Sequence, residues 1–197
     1  MASILSAIKS GYIKNVKPAV VLSNRTEAVG LNLALEKFGI STEIMPSKGL
    51  KGWEYDKKVV SILKKYDVTS ENGLICLAGF NRIFSAEFVT EYSMRILNIH
   101  PALLPSFPGL NAQKQAIEYG VKVSGCTVHF VDQGLDSGPI ILQRAVKVLD
   151  SDTEAELSAR ILREEHEVYP EVVRLFAEDR IKIIGRRVLL KDNRNSI

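Results

Sequence analysis

Apolar residues fall along this chain in two alternating patterns, and the alternation predicts an architecture. Continuous apolar runs at Pro18–Leu22 and Leu74–Gly79 read as strands buried on both faces, with a shorter strand over Ser41–Met45 and another ending at His100. Between them, apolar positions recur at helical spacing. Ile4, Leu5 and Ile8 predict a helix over 3–10. Val29, Leu31, Leu33, Ala34, Leu35 and Phe38 predict one that Thr26 caps and Gly39 ends. Val59, Val60, Ile62 and Leu63 give the inward face of a helix over Trp53–Tyr66, with its lysines outward. Ser85 is placed to cap a short helix ending at Tyr92.

Past His100 the pattern changes. Pro101, Pro105, Pro108 and Gly109 make 101–111 a rigid loop. A helix over Ala112–Tyr119 is stopped by Gly120, an alternating strand follows over Ser124–Val131, and Asp132–Pro139 is a dense turn. Ile140–Val148 reads as a strand. Ser151 and Glu154 predict a capping box for a long helix to Asp179, followed by a hairpin over Ile181–Leu190 and a polar tail over Asp192–Ile197. Strands alternating with helices predict an α/β fold, a mostly parallel, doubly wound sheet of six or seven strands covered on both faces. With no repeat, linker or low-complexity segment, residues 1–197 read as one domain.

Composition narrows the function classes. A net charge of +3 over 197 residues is too diffuse to argue for nucleic acid, and suits a small anionic substrate equally well. No apolar run has membrane length, and the opening nine residues have too short an apolar core for a signal peptide, so the expected location is the cytoplasm. Cys76 and Cys126 lie in apolar runs without metal-ligand spacing and read as buried thiols; no metal site is expected.

The candidate chemistry centres on Leu97-Asn98-Ile99-His100-Pro101. Asn98 and His100 stand two apart, hence on one face of a strand, and Pro101 biases His100 toward extended backbone. Open α/β sheets place ligands at the carboxyl ends of their strands. The loop holding Asp136 and the Gly79–Phe84 loop with Arg82 would meet there. A carboxylate close to His100 would favour its charged form, and an imidazolium beside an amide is a donor pair suited to a developing oxyanion. No serine or cysteine stands out as a nucleophile, so the chemistry points to acyl transfer in which the substrate supplies it.

These motifs carry a resemblance. Asn98-Ile99-His100-Pro101, Leu103-Leu104-Pro105, Phe107-Pro108-Gly109-Leu110, Gln115-Ala116, Val128-His129-Phe130-Val131 and Leu135-Asp136-Ser137-Gly138-Pro139 resemble the phosphoribosylglycinamide formyltransferase family, over residues 3–190. The resemblance implies a Rossmann-like formyltransferase fold. It also implies transfer of a formyl group from 10-formyltetrahydrofolate, as co-substrate, to the amine of glycinamide ribonucleotide in purine biosynthesis. Asn98, His100 and Asp136 take the catalytic positions. Leu77, Arg82, Ile83, Phe84, Asn98, Val131 and Leu135 match the folate side, and Ser3, Gly79, Ile99, Pro101 and Glu165 the ribonucleotide side. Alone, Arg82 reads as a loop charge and Glu165 as one charge among Arg163, Glu164, His166 and Glu167; the whole-chain match reverses both readings and leaves His129 structural. The expected partners are these small molecules, with no nucleic acid and no membrane; a homodimer is left open.

The chain also departs from the family pattern. A first buried strand and a glycine-rich phosphate loop are expected ahead of the first helix, and Met1-Ala2-Ser3-Ile4 stands there instead. Gly52 stands where an arginine is common, with Lys48 and Lys51 nearby. The missing strand would lie inside the sheet, leaving unpaired backbone groups at about 1–3 kcal/mol each where buried. The expectation is that the natural chain starts upstream of Met1, or that another segment or subunit fills the gap. Two other functions share these residues. One is a formyltetrahydrofolate deformylase, which resembles an Asn-x-His-His pattern where this chain has Pro101. The other is a non-catalytic folate- or partner-binding relic.

Overall fold

The alternating runs become an α/β fold in the computed structural model, which describes residues 1–47 and 49–191. Its first half contains α1 (Ala2–Lys9), β1 (Val21–Ser23), α2 (Val29–Phe38), β2 (Thr42–Ile44), α3 (Gly52–Lys65), β3 (Ile75–Cys76), α4 (Ala86–Glu91) and β4 (Ile96–His100). The second half contains α5 (Ala112–Tyr119), β5 (Val123–Phe130), β6 (Ile140–Lys147), α6 (Glu154–Ala177), β7 (Ile181–Ile184) and β8 (Arg187–Leu190). Lys48 and the tail expected over Asp192–Ile197 lie outside the described residues.

β4 separates two hydrophobic layers. Leu97 packs with Cys126, Val128 and Phe130 of β5 and with Leu157, Ile161 and Val172 of α6. Ile96 turns the other way, onto Tyr55, Val59 and Leu63 of α3, Phe88 of α4 and Tyr92 just past its end. Alternation along the strand therefore puts Asn98 and His100 on the Ile96 face, at the carboxyl end. The pairing is parallel between β1 and β2 and between β3 and β4, and antiparallel between β4 and β5, β5 and β6, and β7 and β8.

The single sheet of six or seven strands expected from the sequence is divided into three: β1–β2, β3–β4–β5–β6 and the β7–β8 hairpin. The split falls between β1 and β3. Val21 donates its N–H to the Ser41 carbonyl and the Ser23 carbonyl accepts from Met45, so both residues face β2. In a parallel ladder alternate residues face opposite neighbours, so Leu22 turns its N–H and C=O to the open edge. By the same parity Ile75 and Leu77 bond to Arg95 and Leu97, and Cys76 faces outward on β3. Both strands are shorter than their apolar runs and only half-buried, because each is paired on one side.

Two caps differ from expectation. The cap of α2 is Ala28, without a side-chain bond, because the Ala28 amide closes a turn onto the Arg25 carbonyl and delays the helix past Thr26. The capping box of α6 uses Thr153 and Glu156, not Ser151 and Glu154. Asp152 decides this: it accepts from the Leu149 N–H and holds Arg160 through two bonds of 2.7 and 2.8 Å, which keeps 149–152 in a turn. Ser85 caps α4 as its position suggested, accepting from the Phe88 N–H.

Candidate active site

Three segments converge at the carboxyl end of β4. The strand supplies Asn98 and His100, and the antiparallel partner β5 places His129 opposite Asn98 and Thr127 opposite His100. The turn after β5 supplies Asp136 in a left-handed conformation, φ 47°. That turn approaches β5 so closely that a Cβ on Gly138 would stand 1.8 Å from the Phe130 carbonyl oxygen. Only glycine fits there.

Asp136 is the hub. Its Oδ2 lies 3.3 Å from His100 Nδ1 and accepts from the Gly109 N–H at 2.8 Å. Its Oδ1 accepts from Asn98 Nδ2 at 3.4 Å and lies 3.7 Å from His129 Nε2. His100 is buried, and its Nε2 donates to the Phe107 carbonyl at 2.8 Å. His129 Nδ1 donates to the Phe130 carbonyl at 2.8 Å. Burial lowers the pKa of His129, so its Nε2 is a bare acceptor for the Asn98 amide at 3.3 Å. His129 thus fixes which end of the Asn98 side chain donates. By sequence alone His129 reads as structural; the only available signal is its two-residue alternation with Thr127 on the strand.

The loop over 101–111 is fastened from two sides. Thr127 Oγ1 donates to the Ala102 carbonyl at 2.7 Å and accepts from the Leu104 N–H at 3.0 Å. Gln143 Nε2 donates to the Leu104 carbonyl at 2.9 Å. Arg186, in the β7–β8 turn, donates to the Ser137 carbonyl and braces the turn carrying Asp136. Nothing in the local sequence singles out Gln143 or Arg186, because both act through distant main chain.

The remaining candidates lie outside this hydrogen-bonded cluster. Leu77, Phe84 and Val131 are half-buried against the α3–α4 layer. Phe84 stacks between Phe80 and Phe88, with centroids 5.0 and 4.2 Å away. The Arg82 guanidinium lies 4.2 Å from the centre of the Tyr55 ring. Ile83 and Leu135 are 74% and 55% exposed. Gly79, at φ 68°, turns the chain out of β3. Ile99 and Pro101 flank His100 and are half-buried. Ser3 is on the first turn of α1, which packs against α6, the helix carrying Glu165. Burial pushes the Glu165 carboxyl up to about 7. Cys126 is buried and its thiol is pushed up to about 12, while Cys76 is half-buried; neither belongs to the cluster.

A family profile described as formyl transferase matches residues 1–173. The chain belongs to the formyl transferase family. Within that family it is 40% identical to the phosphoribosylglycinamide formyltransferase of Escherichia coli over 184 residues, covering 93% of this chain and 84% of that one. It is 43% identical over 165 residues to the human trifunctional purine biosynthetic protein adenosine-3, covering 83% of this chain but only 16% of that much longer one. Among solved structures, glycinamide ribonucleotide transformylase 1 from Symbiobacterium toebii superposes with a TM-score of 0.90 at 48% identity, covering 96% of this chain and 87% of that one. The formyl transferase match spans every residue of the Asn98, His100 and Asp136 cluster. No membrane-length apolar helix occurs among the described residues.

Proposed function

We propose that this chain transfers a formyl group from 10-formyltetrahydrofolate to the amine of glycinamide ribonucleotide. One observation carries the reading: a carboxylate, an imidazole and an amide interlock at the strand ends, and among the described residues no serine or cysteine is bonded to them. Asp136 and the Phe107 carbonyl face the two nitrogens of His100 at 3.3 and 2.8 Å. Both partners only accept, so the arrangement is fully bonded when both nitrogens carry protons.

Attack of the amine lone pair on the formyl carbon converts the carbonyl oxygen into an oxyanion. His100 Nε2 and Asn98 Nδ2 are the donors that hold it, the Asn98 amide giving up its longer bond, 3.4 Å to Asp136 Oδ1, to do so. As the bond to the folate nitrogen breaks, His100 Nε2 gives its proton to that nitrogen and takes up the proton the amine loses, with Asp136 orienting the ring. An oxyanion arriving at Nε2 competes with the Phe107 carbonyl for the same proton. Leu77, Phe84 and Val131, with Ile83, Leu135 and Arg82, are the folate side of this reading. Ser3, Gly79, Ile99, Pro101 and Glu165 are the ribonucleotide side of this reading.

Product analysis tests it. The wild-type chain with 10-formyltetrahydrofolate and glycinamide ribonucleotide should yield formylated ribonucleotide, and His100→Asn should lower the rate on the order of 10²–10³-fold. Formate as the product, with the ribonucleotide unchanged, would mean that water is the acceptor and would overturn the proposal.

A further inference from the structure

The β3–β4 ladder stops one bond short at the end where the site lies. Ile75 and Leu77 donate their N–H groups to the Arg95 and Leu97 carbonyls. In a parallel ladder of that parity the next bond would run from the Ile99 N–H to the Leu77 carbonyl. It is absent among the described residues, although Ile99 shares the parity of Leu97 and turns its N–H to the β3 side. A side chain from α6 takes its place. The Tyr169 hydroxyl oxygen lies 2.9 Å from the Leu77 carbonyl oxygen and 3.0 Å from that of Leu97. A hydroxyl carries one proton. The Leu97 carbonyl already accepts from the Leu77 N–H at 2.9 Å, and the Leu77 carbonyl has no other donor among the described residues, so the proton belongs to Leu77. Tyr169 is buried, and burial raises its pKa well above the ordinary tyrosine value, which keeps that proton in place.

We propose that Tyr169 is a positioning residue for the transfer reaction: by occupying the Leu77 carbonyl it stops β3 and β4 from zipping further and holds their ends apart, between Gly79 and Ile99, for the ribonucleotide. Naming that substrate rests on the function proposed above. Satisfying the Leu77 carbonyl needs no tyrosine, because the Ile99 N–H is the ladder's own donor. The hydroxyl satisfies it in a way that leaves the Ile99 N–H unbonded beside Asn98 and His100. Gly79, at φ 68°, turns the chain out of β3 two residues later. Glu165 is one turn earlier on α6 and falls on the same helix face, so one helix register sets both side chains at the strand ends.

Amide hydrogen exchange and steady-state kinetics test this role. In the wild-type chain the Ile99 amide should exchange at least about tenfold faster than the Leu77 amide, whose bond is made. In Tyr169→Phe the Leu77 carbonyl turns to its ladder partner, and protection of Ile99 should rise about tenfold. The ribonucleotide must then open that bond, so its KM should rise about tenfold, equivalent to about 1.4 kcal/mol. The KM for 10-formyltetrahydrofolate and kcat should stay within about threefold of wild type. Tyr92→Phe is the control: it strips a buried hydroxyl from the Val68 carbonyl, 3.2 Å away, without freeing a ladder position, and should leave both KM values and Ile99 exchange unchanged. A wild-type Ile99 amide as protected as Leu77, unchanged or faster Ile99 exchange in Tyr169→Phe, equal changes in both KM values, or the same changes in Tyr92→Phe would each overturn the proposal. The wild-type comparison decides even where Tyr169→Phe does not fold. Exchange is measured without substrate, so a chain that leaves the ribonucleotide unformylated would overturn the proposed function, while exchange still reports whether Tyr169 stops the ladder.

Discussion

Replacing Asp136 by Asn removes one charge and almost no volume, so the surrounding geometry sets its cost. The new amide oxygen best occupies the Oδ2 position, where it still accepts from the Gly109 N–H at 2.8 Å and faces His100 Nδ1 at 3.3 Å. The amide nitrogen then takes the Oδ1 position. It can donate to the bare His129 Nε2, 3.7 Å away, but it meets Asn98 Nδ2, itself a donor, at 3.4 Å. The structural cost is one charge-assisted bond reduced to a neutral one plus a donor–donor contact, about 1–2 kcal/mol. For a chain of this size each kcal/mol lowers the melting temperature by about 2–4 °C, so the variant should remain folded at assay temperature. The catalytic cost is larger. His100 loses the carboxylate that stabilises its cation, and Asn98 loses one of the two acceptors that aim its amide. Steady-state formyl transfer should fall on the order of 10²–10³-fold, mostly in kcat. Turnover within a few-fold of wild type in a folded Asp136→Asn protein would refute the mechanism. A melting temperature lower by roughly 15 °C or more would instead show that Asp136 chiefly holds the turn together.

Gly138→Ala should destabilise by roughly 3 kcal/mol, because the added Cβ would lie 1.8 Å from the Phe130 carbonyl oxygen and the turn must move; thermal melting checks it, and an unchanged melting temperature would disprove the close approach. Glu165, raised by burial to about 7, costs stability when it ionises: its contribution is fully favourable below about 4.5 and is lost as pH rises through about 7. Glu165→Gln should therefore raise stability at about pH 8, on the order of 1–3 kcal/mol, and leave it unchanged at about pH 4; equal effects at both pH values in chemical denaturation would contradict the assignment. Hydrogen exchange should find the Leu22 and Cys76 amides at least about tenfold less protected than those of Val21 and Ile75, whose N–H groups are bonded across their ladders. Equal protection would mean that the two open edges pair in solution.

Much of this fold is written in local pattern. Apolar runs, helical spacing and the proline-rich loop each reflect residues close in the chain, and they place Asn98 and His100 on one face because a strand has a period of two. The Gly-Pro turn likewise marks where Asp136 sits. The sequence by itself therefore determined the α/β class, the strand that carries the site and two of its three side chains as a pair. Tertiary structure decided the rest, since contacts between distant residues leave no local signature. The Asp152–Arg160 pair moved a helix cap by two residues, and only the pairing of β5 with β4 turned His129 from a buried ring into the acceptor that orients Asn98. Strand partnership was only partly legible: a strand missing from inside the sheet was expected to leave backbone groups unpaired, but which strands would border the gap is a property of two segments at once, and here β1 and β3 each have a neighbour on one side alone.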